Sequence, residues 1–365
     1  MTINTQERIR SIDLLRGFDM LMIVLADQFF SKLDKGVGSD FTAALARQFS
    51  HPEWLGFRFY DIIMPLFLFV VGAVIPFSVS KFTENSASRK PLFIKLLRRF
   101  FLLFLLGWIV QGNLLDFDLS TFKIFSNTLQ AIAVGYVFTT LAYLYLKPSY
   151  RHLLFAGCLL VYALLLTLPI IPGIGRSTLT PDANFALYID HLIFGPFDDG
   201  KQYTWLLSGL GFTATTLSGL FAGTLIKIQK DKTKVVKILF IYGLIALSIG
   251  LFANLWHPIV KKIWSSSFVL ISSGICYFLM AFFYWIIDVK KKFKWAFFLK
   301  VIGMNAITAY VITHILPFPK IAGFILYGLA PYTGNYYELI TIIGGFALLY
   351  LLLWYMYKNK TFIKV

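Results

Sequence analysis

Apolar runs of about 20 residues recur from one end of this 365-residue chain to the other. Twenty residues of α-helix cross a hydrocarbon layer about 30 Å thick. In that layer every backbone N–H and C=O must be bonded within the helix itself. Such a chain can fold only as a bundle of membrane-spanning helices. The bulk composition agrees: 58% of residues are hydrophobic and 14% charged, against about 25% charged in a soluble domain. No stretch of soluble composition is long enough for a second fold. The expectation is all-α, a single integral membrane domain over 1–365.

Ten spans are predicted, near 12–31, 60–80, 97–113, 126–146, 153–171, 205–226, 236–255, 266–287, 297–316 and 338–357. The apolar piece 321–330 is too short to span. Basic residues orient the bundle. With the N-terminus inside, the inner segments hold 24 of the 34 Lys and Arg. The outer loops collect Asp116, Asp118, Asp182, Asp190, Asp198 and Asp199, so the positive-inside rule selects N-in and C-in. A net charge of +16 suggests nucleic acid in a soluble protein. Here the charge sits in short loops, as topology demands, and a nucleic-acid partner is not expected. Cys158 and Cys276 lie inside apolar segments as small hydrophobes. The first apolar run carries Asp19 and Asp27 and lacks a nearby small-x-small site, so it reads as a retained span. No repeat relating the two halves is evident.

The richest stretch for chemistry is SHPEWLGFRFYDIIMPLFLFVVGAVIPFS, residues 50–78. A polar, aromatic head (His51, Glu53, Trp54, Arg58, Tyr60, Asp61) runs straight into a span. A carboxylate at a membrane boundary costs free energy unless it is paired or lines a wet cavity. The plainer reading is an interfacial belt of Trp and Tyr with solvated charges. Orientation puts His51 on the outer face, where an imidazole can serve as general base or acyl acceptor. His191, His257 and His314 lie in or near outer loops; His152 reads as solvated. Asp27, near the outer end of the first span, is a second costly carboxylate. Asp13 and Arg16, three apart on that helix, can pair.

On the inner side, Arg16, Lys95, Arg98 and Arg99 can grip phosphates or simply set topology. Asn127 and Gln130 are amides within an apolar helix. Ser265, Ser267, Asn305 and His314 likewise fall in spans, where polar groups bond to another helix or a ligand. No spacing of His, Cys and carboxylates suits a metal, and no phosphate-binding GxxxxGK occurs.

Six blocks in this order resemble the heparan-α-glucosaminide N-acetyltransferase-like membrane proteins, over nearly the whole chain. They are SIDLLRGFDMLMIV, HPEWLGFRFYDIIMPLFLFVVG, NTLQAIAVGY, NFALYIDHLIFG, KKIWSSSFVL and GMNAITAYV. The resemblance implies transfer of acetyl from cytosolic acetyl-CoA to the amine of a terminal glucosamine across the membrane, with the active-site histidine at His51. Three departures stand out: Asp27 where the family pattern has Asn, Ala131 where Arg follows the helix glutamine, and DDGKQYTW where Asp-Pro-Glu-Gly is usual. They leave the acceptor and some CoA contacts open. Lack of the family's usual N-terminal domain fits a multi-pass enzyme of a bacterial inner membrane.

On this reading His51 is the base, oriented by Asp61 or Asp27, and Asn127, Gln130 or Asn305 donates to the thioester oxyanion. Arg16, Arg98, Arg99 and Ser265 contact acetyl-CoA. Glu53, Trp54, Asp190, Trp205 and His314 receive the cationic sugar. Direct transfer and an acetyl-His51 intermediate both remain open. So do two other functions: an organic-ion transporter with Asp13, Asp27 and Asp61 as a proton relay, and an O-acetyltransferase of surface polysaccharide. A homodimer is one option, though no small-xxx-small stripe marks its face.

Overall fold

The computed structural model describes residues 9–83, 90–200 and 203–362. Of the cations counted in the expected orientation, Arg8, Arg89, Lys201 and Lys364 lie outside the described residues. The helices in chain order are α1 (Arg10–Leu21), α2 (Asp27–Val37), α3 (Asp40–Gln48), α4 (Ile63–Thr83), α5 (Lys90–Val110), α6 (Thr128–Tyr145) and α7 (Pro148–Thr167). A two-residue hairpin, β1 (Ile170–Ile171) with β2 (Gly175–Arg176), interrupts the otherwise helical order. Then come α8 (Phe185–Phe194), α9 (Gly209–Ile228), α10 (Lys232–Ala253), α11 (Ser266–Tyr284), α12 (Phe297–Met304), α13 (Ala306–Ile315), α14 (Phe318–Ile325), α15 (Ala330–Thr333) and α16 (Tyr337–Lys358).

Among the described residues seven helices are long and apolar enough to cross a membrane. An eighth span results if α12 and α13, bent by 63°, count as one. These correspond to eight of the ten expected spans. The other two are present as helices but carry more charge. α1 passes through a π-helical stretch at Met22–Ala26 into α2 and holds Asp13, Arg16, Asp19 and Asp27. α5 begins with Lys90, Lys95, Arg98 and Arg99. The short apolar piece after residue 320 falls in α14 and the irregular turns that follow it.

The chain divides into two compact units. One takes residues 1–50, 229–240 and 277–364, the other 51–228 and 241–276, so two of the four boundaries fall within α10 and α11. In the first unit α1 packs on α12, where a Cβ at Gly17 would overlap the Leu299 carbonyl. The second unit is built around α4 and α9. A Cβ at Gly219 would overlap the Phe69 carbonyl, and one at Gly72 the Thr216 carbonyl. Small residues let two backbones meet in lipid, where association rests on close packing and not on expelling water. Leu66, Phe69, Phe212 and Leu217 are wholly or almost wholly buried there.

Candidate active site

Residues 51–62 approach α4 as an irregular segment ending in a 3-10 turn, Phe59–Ile62. Asp61 closes that turn: its N–H donates to the Arg58 carbonyl at 3.0 Å, and its Oδ2 accepts from the Arg58 N–H at 2.8 Å. Pro65 follows in the first turn of α4, where its missing N–H costs nothing. The Asp61 side chain is fully buried, and its Oδ1 stands 2.7 Å from His51 Nδ1. Arg58 Nη1 donates to the His51 carbonyl at 3.0 Å, so both ends of the histidine are held. Its ring lies 5.0 Å from that of Tyr60 and retains access to solvent.

A third group comes from far along the chain. Gly56 N–H donates to the Ile259 carbonyl at 3.0 Å and Leu55 pairs with Val260, stitching this segment to the turn before α11. That turn is rigid. Ser265 Oγ accepts the Val260 N–H at 3.0 Å and meets Ser267 Oγ, which donates to the Pro258 carbonyl. The Trp264 N–H donates to the Lys261 carbonyl at 2.9 Å. Trp264 takes a left-handed φ of 50°, an unusual conformation for an aromatic residue.

Lys261 Nζ is thereby carried to 3.0 Å from His51 Nε2, 3.1 Å from Nδ1 and 3.5 Å from Asp61 Oδ1. Being almost equidistant from the two ring nitrogens, it does not lie along either lone pair. Burial pulls the Lys261 ammonium down to about 8, against the attraction of Asp61 for the charged form. Lys262 reaches over Trp54 (5.8 Å) and Tyr203 (5.9 Å). Burial, together with the charges of Asp61 and Asp199, raises the Tyr203 phenol.

This arrangement can do base chemistry. With Nδ1–H donated to Asp61, the tautomer leaves Nε2 as the lone pair available to a substrate proton.

Other expected residues have more structural roles. Both Asp190 oxygens accept backbone N–H groups, from Trp205 at 2.6 Å and Leu206 at 3.0 Å, and burial pushes Asp190 up to about 6. The buried Trp205 donates from Nε1 to Asp199 Oδ2 at 3.2 Å and stacks on Phe125 at 5.1 Å. Trp54 is half-buried and donates to the Leu179 carbonyl at 2.7 Å; Glu53 is exposed. Asn127 caps α6 through the N–H groups of Leu129 and Gln130 and donates to the Gly107 carbonyl at 2.6 Å. Gln130 accepts from Ser126 N–H and donates to the Ile124 carbonyl, both at 2.9 Å. These two amides, expected to face the reaction, hold the start of α6 together. Arg98 is exposed. Arg99 lies over the Tyr136 ring at 4.2 Å, and its Nε is buried without a hydrogen-bond partner among the described residues, a donor that an anionic ligand would satisfy.

Asp27, Arg16, Asn305 and His314 belong to the first unit. Asp27 is exposed at the start of α2 and Arg16 half-buried on α1. Asn305 sits at the break between α12 and α13 and donates to the Val301 carbonyl at 3.0 Å and the Leu353 carbonyl at 3.3 Å. His314 is exposed, with Nδ1 donating to the Tyr310 carbonyl at 2.7 Å.

Sequence reading passed over Lys261, which looked like one outer-loop cation among ten. Its only local signal is position, just ahead of the serines that cap α11. Asp19, which the sequence offers only as a carboxylate in the first apolar run, is wholly buried, and its oxygens have no hydrogen-bond partner among the described residues.

A family described as "Domain of unknown function (DUF5009)" matches residues 8–168, which include His51 and Asp61. Heparan-alpha-glucosaminide N-acetyltransferase of Homo sapiens is 26% identical over 360 residues, covering 83% of this chain and 52% of that protein. The protein of the same name from Mus musculus is 26% identical over 420 residues, covering 99% of this chain and 61% of its own length. The chain thus spans between a half and about three fifths of the length of these curated relatives, and it is related to them distantly.

Proposed function

We propose that this protein is a multi-pass membrane N-acetyltransferase. It would move acetyl from cytosolic acetyl-CoA to the amine of glucosamine or a terminal glucosaminide on the outer side of a bacterial inner membrane. The observation that carries the reading is the contact of His51, Asp61 and Lys261 at the head of a span, in a distant relative of proteins so named.

An amino sugar is mostly protonated near neutral pH, and an ammonium is no nucleophile. His51 Nε2 takes that proton first, which frees the nitrogen lone pair. The amine then attacks, the new C–N bond forms, the thioester C–S bond breaks, and the CoA thiolate leaves as the thiol with the imidazolium's proton while the second amine proton goes to solvent. Asp61 holds the tautomer and offsets the charge that the imidazole gains. Lys261, which the geometry brings to the ring, supplies positive charge where the carbonyl oxygen becomes an oxyanion. We assign it this task in place of Asn127 and Gln130. Acetyl-CoA supplies the activated acyl group; Arg99, with Arg98, is assigned to its phosphates. The aromatic rings of Trp54 and Tyr203 offer faces to a sugar.

The test uses purified protein in detergent with radiolabelled acetyl-CoA and a panel of amino sugars, wild type beside His51→Ala. Transfer to glucosamine that vanishes in the variant is the expected result. Failure to bind acetyl-CoA, with no transfer to any acceptor, overturns the reading and brings the transporter forward.

A further inference from the structure

A cavity of about 690 Å³ lies among α6, α7 and the start of α9, all within the second unit. Its volume is that of an ordinary ligand site, but its character is not that of a sugar site. Phe125, Val134, Phe138 and Tyr145 line one side, with Cys158 of α7 and Leu210 of α9 facing them. The hydroxyl of Thr213, also in the lining, is spent on the Gly209 carbonyl at 2.7 Å.

Two features limit what can occupy it. On α6 the lining runs from Val134 to Tyr145, about 16 Å at 1.5 Å per residue, about half the depth of the hydrocarbon layer and the length of a medium alkyl chain. The space is therefore mostly apolar, suited to an alkyl chain and not to a polar head. Phe138 and Tyr145 are more than half exposed, so the cavity is open along its flank to the bilayer. Its other limit is the residue pair Phe125 and Leu206. Phe125 stacks on Trp205 at 5.1 Å, Trp205 on Tyr203 at 6.1 Å, and Tyr203 carries Lys262, the neighbour of Lys261. One end of the apolar trough is thus joined to the rim of the His51 site by a continuous run of rings.

We propose that the trough holds the hydrocarbon chain of the acceptor, so that the amine presented to His51 belongs to a membrane-anchored amino-sugar lipid and not to a freely soluble sugar. The proposal rests on the acetyltransferase reading and narrows its acceptor class. A tail in the trough leaves the head at the Trp205 and Tyr203 end, which confines the amine to the neighbourhood of the base before reaction. It also fits a lining that is apolar but for Tyr145, Cys158 and Thr213.

The test compares acceptors sharing one head: glucosamine and a dodecyl glucosaminide, with protein in phospholipid nanodiscs. The expected result is a kcat/KM at least tenfold higher for the alkyl acceptor. Filling the trough with Val134→Trp or Leu210→Trp brings the ratio of the two values toward one. Equal kcat/KM in the wild type, or a ratio unmoved by filling, overturns the proposal.

A second measurement on the wild type needs no turnover. A dodecyl glucosaminide with a photoreactive group in its tail should label peptides spanning 134–146 and 206–213, and unlabelled dodecyl glucosaminide should compete. Labelling elsewhere, or competition by bulk phospholipid just as effective, shows lipid packing only and overturns it. Labelling of the trough without acetyl transfer to either acceptor would remove the transferase reading while leaving the lipid site in place.

Discussion

Replacing Asp61 by Asn changes one atom and leaves the shape of the turn intact, so its effects can be worked from the contacts. The Arg58 N–H, 2.8 Å from Oδ2, must keep an acceptor. The carboxamide oxygen therefore takes that side, and its NH₂ faces His51 Nδ1, where a carboxylate oxygen stood at 2.7 Å. Nδ1 is forced to accept, the ring proton moves to Nε2, and Nε2 can no longer take a proton from substrate. In a Ser-His-Asp triad the same change of tautomer costs about 10⁴ in kcat, and a loss of about 10³–10⁴ is expected here.

Stability falls less. At 3.5 Å and an effective dielectric of about 20, the Asp61 charge attracts Lys261 by roughly 5 kcal/mol. A lysine already at about 8 escapes that loss by releasing its proton, at about 1.4 kcal/mol at pH 7. With one weakened hydrogen bond added, the cost is about 2–4 kcal/mol. The assay is release of free CoA in the presence of glucosamine, beside a thermal melt of the same sample. A variant that melts a few degrees lower but keeps kcat within tenfold of wild type refutes the reasoning about the tautomer.

Four further outcomes follow from other contacts. Lys261 falls from 10.5 in the unfolded chain to about 8 when folded, so between those values the unfolded state binds more protons and stability rises with pH, by up to about 3 kcal/mol. Thermal melts from pH 7.5 to 10.5 should show that slope in the wild type and lose it in Lys261→Met; a flat wild-type curve contradicts it. Asn127→Ala removes a cap and a buried bond to Gly107, and should lower stability by about 1–3 kcal/mol with the KM for acetyl-CoA unchanged. A raised KM at constant melting temperature would restore Asn127 as a donor contact. Arg99→Ala should raise the KM for acetyl-CoA at least tenfold with little change in kcat, and an unchanged KM would make Arg99 a purely structural cation. Gly219→Val drives a side chain into the Phe69 carbonyl and should cost about 3 kcal/mol or more; size-exclusion chromatography showing a normal folded species would contradict that packing.

Much of the architecture was readable without coordinates, because a span announces itself locally. Twenty apolar residues must be helical in lipid, and eight of the ten expected segments are helices, or a bent helix pair, that meet the apolar criterion. The two that do not are α1–α2, in which acidic and basic residues are threaded through the apolar pattern, and α5, whose first half carries four basic residues. The pairing of His51 with Asp61 was within reach for the same reason: ten residues apart, they flank one turn at the head of one span.

Lys261 was out of reach. It lies 210 residues from His51, and no periodicity distinguishes it from Lys262 beside it. What turns one lysine inward and the other over Trp54 is the bonding of Gly56 to Ile259 and of Val260 to Ser265, backbone contacts that exist only once the helices have packed. The same holds for Asp190 and Asn127. Their residue types suggested ligand contacts, and packing spent their hydrogen-bonding capacity on backbone amides and carbonyls that would otherwise be buried unpaired. Hydrophobic length and charge bias are summed along the chain, so the sequence alone determined a helical membrane protein with a polar, histidine-bearing head before its second span. Hydrogen-bond partnership is settled between segments distant in sequence, so only the tertiary structure decided which polar side chains are spent on backbone groups and which, like Lys261, meet His51 and Asp61.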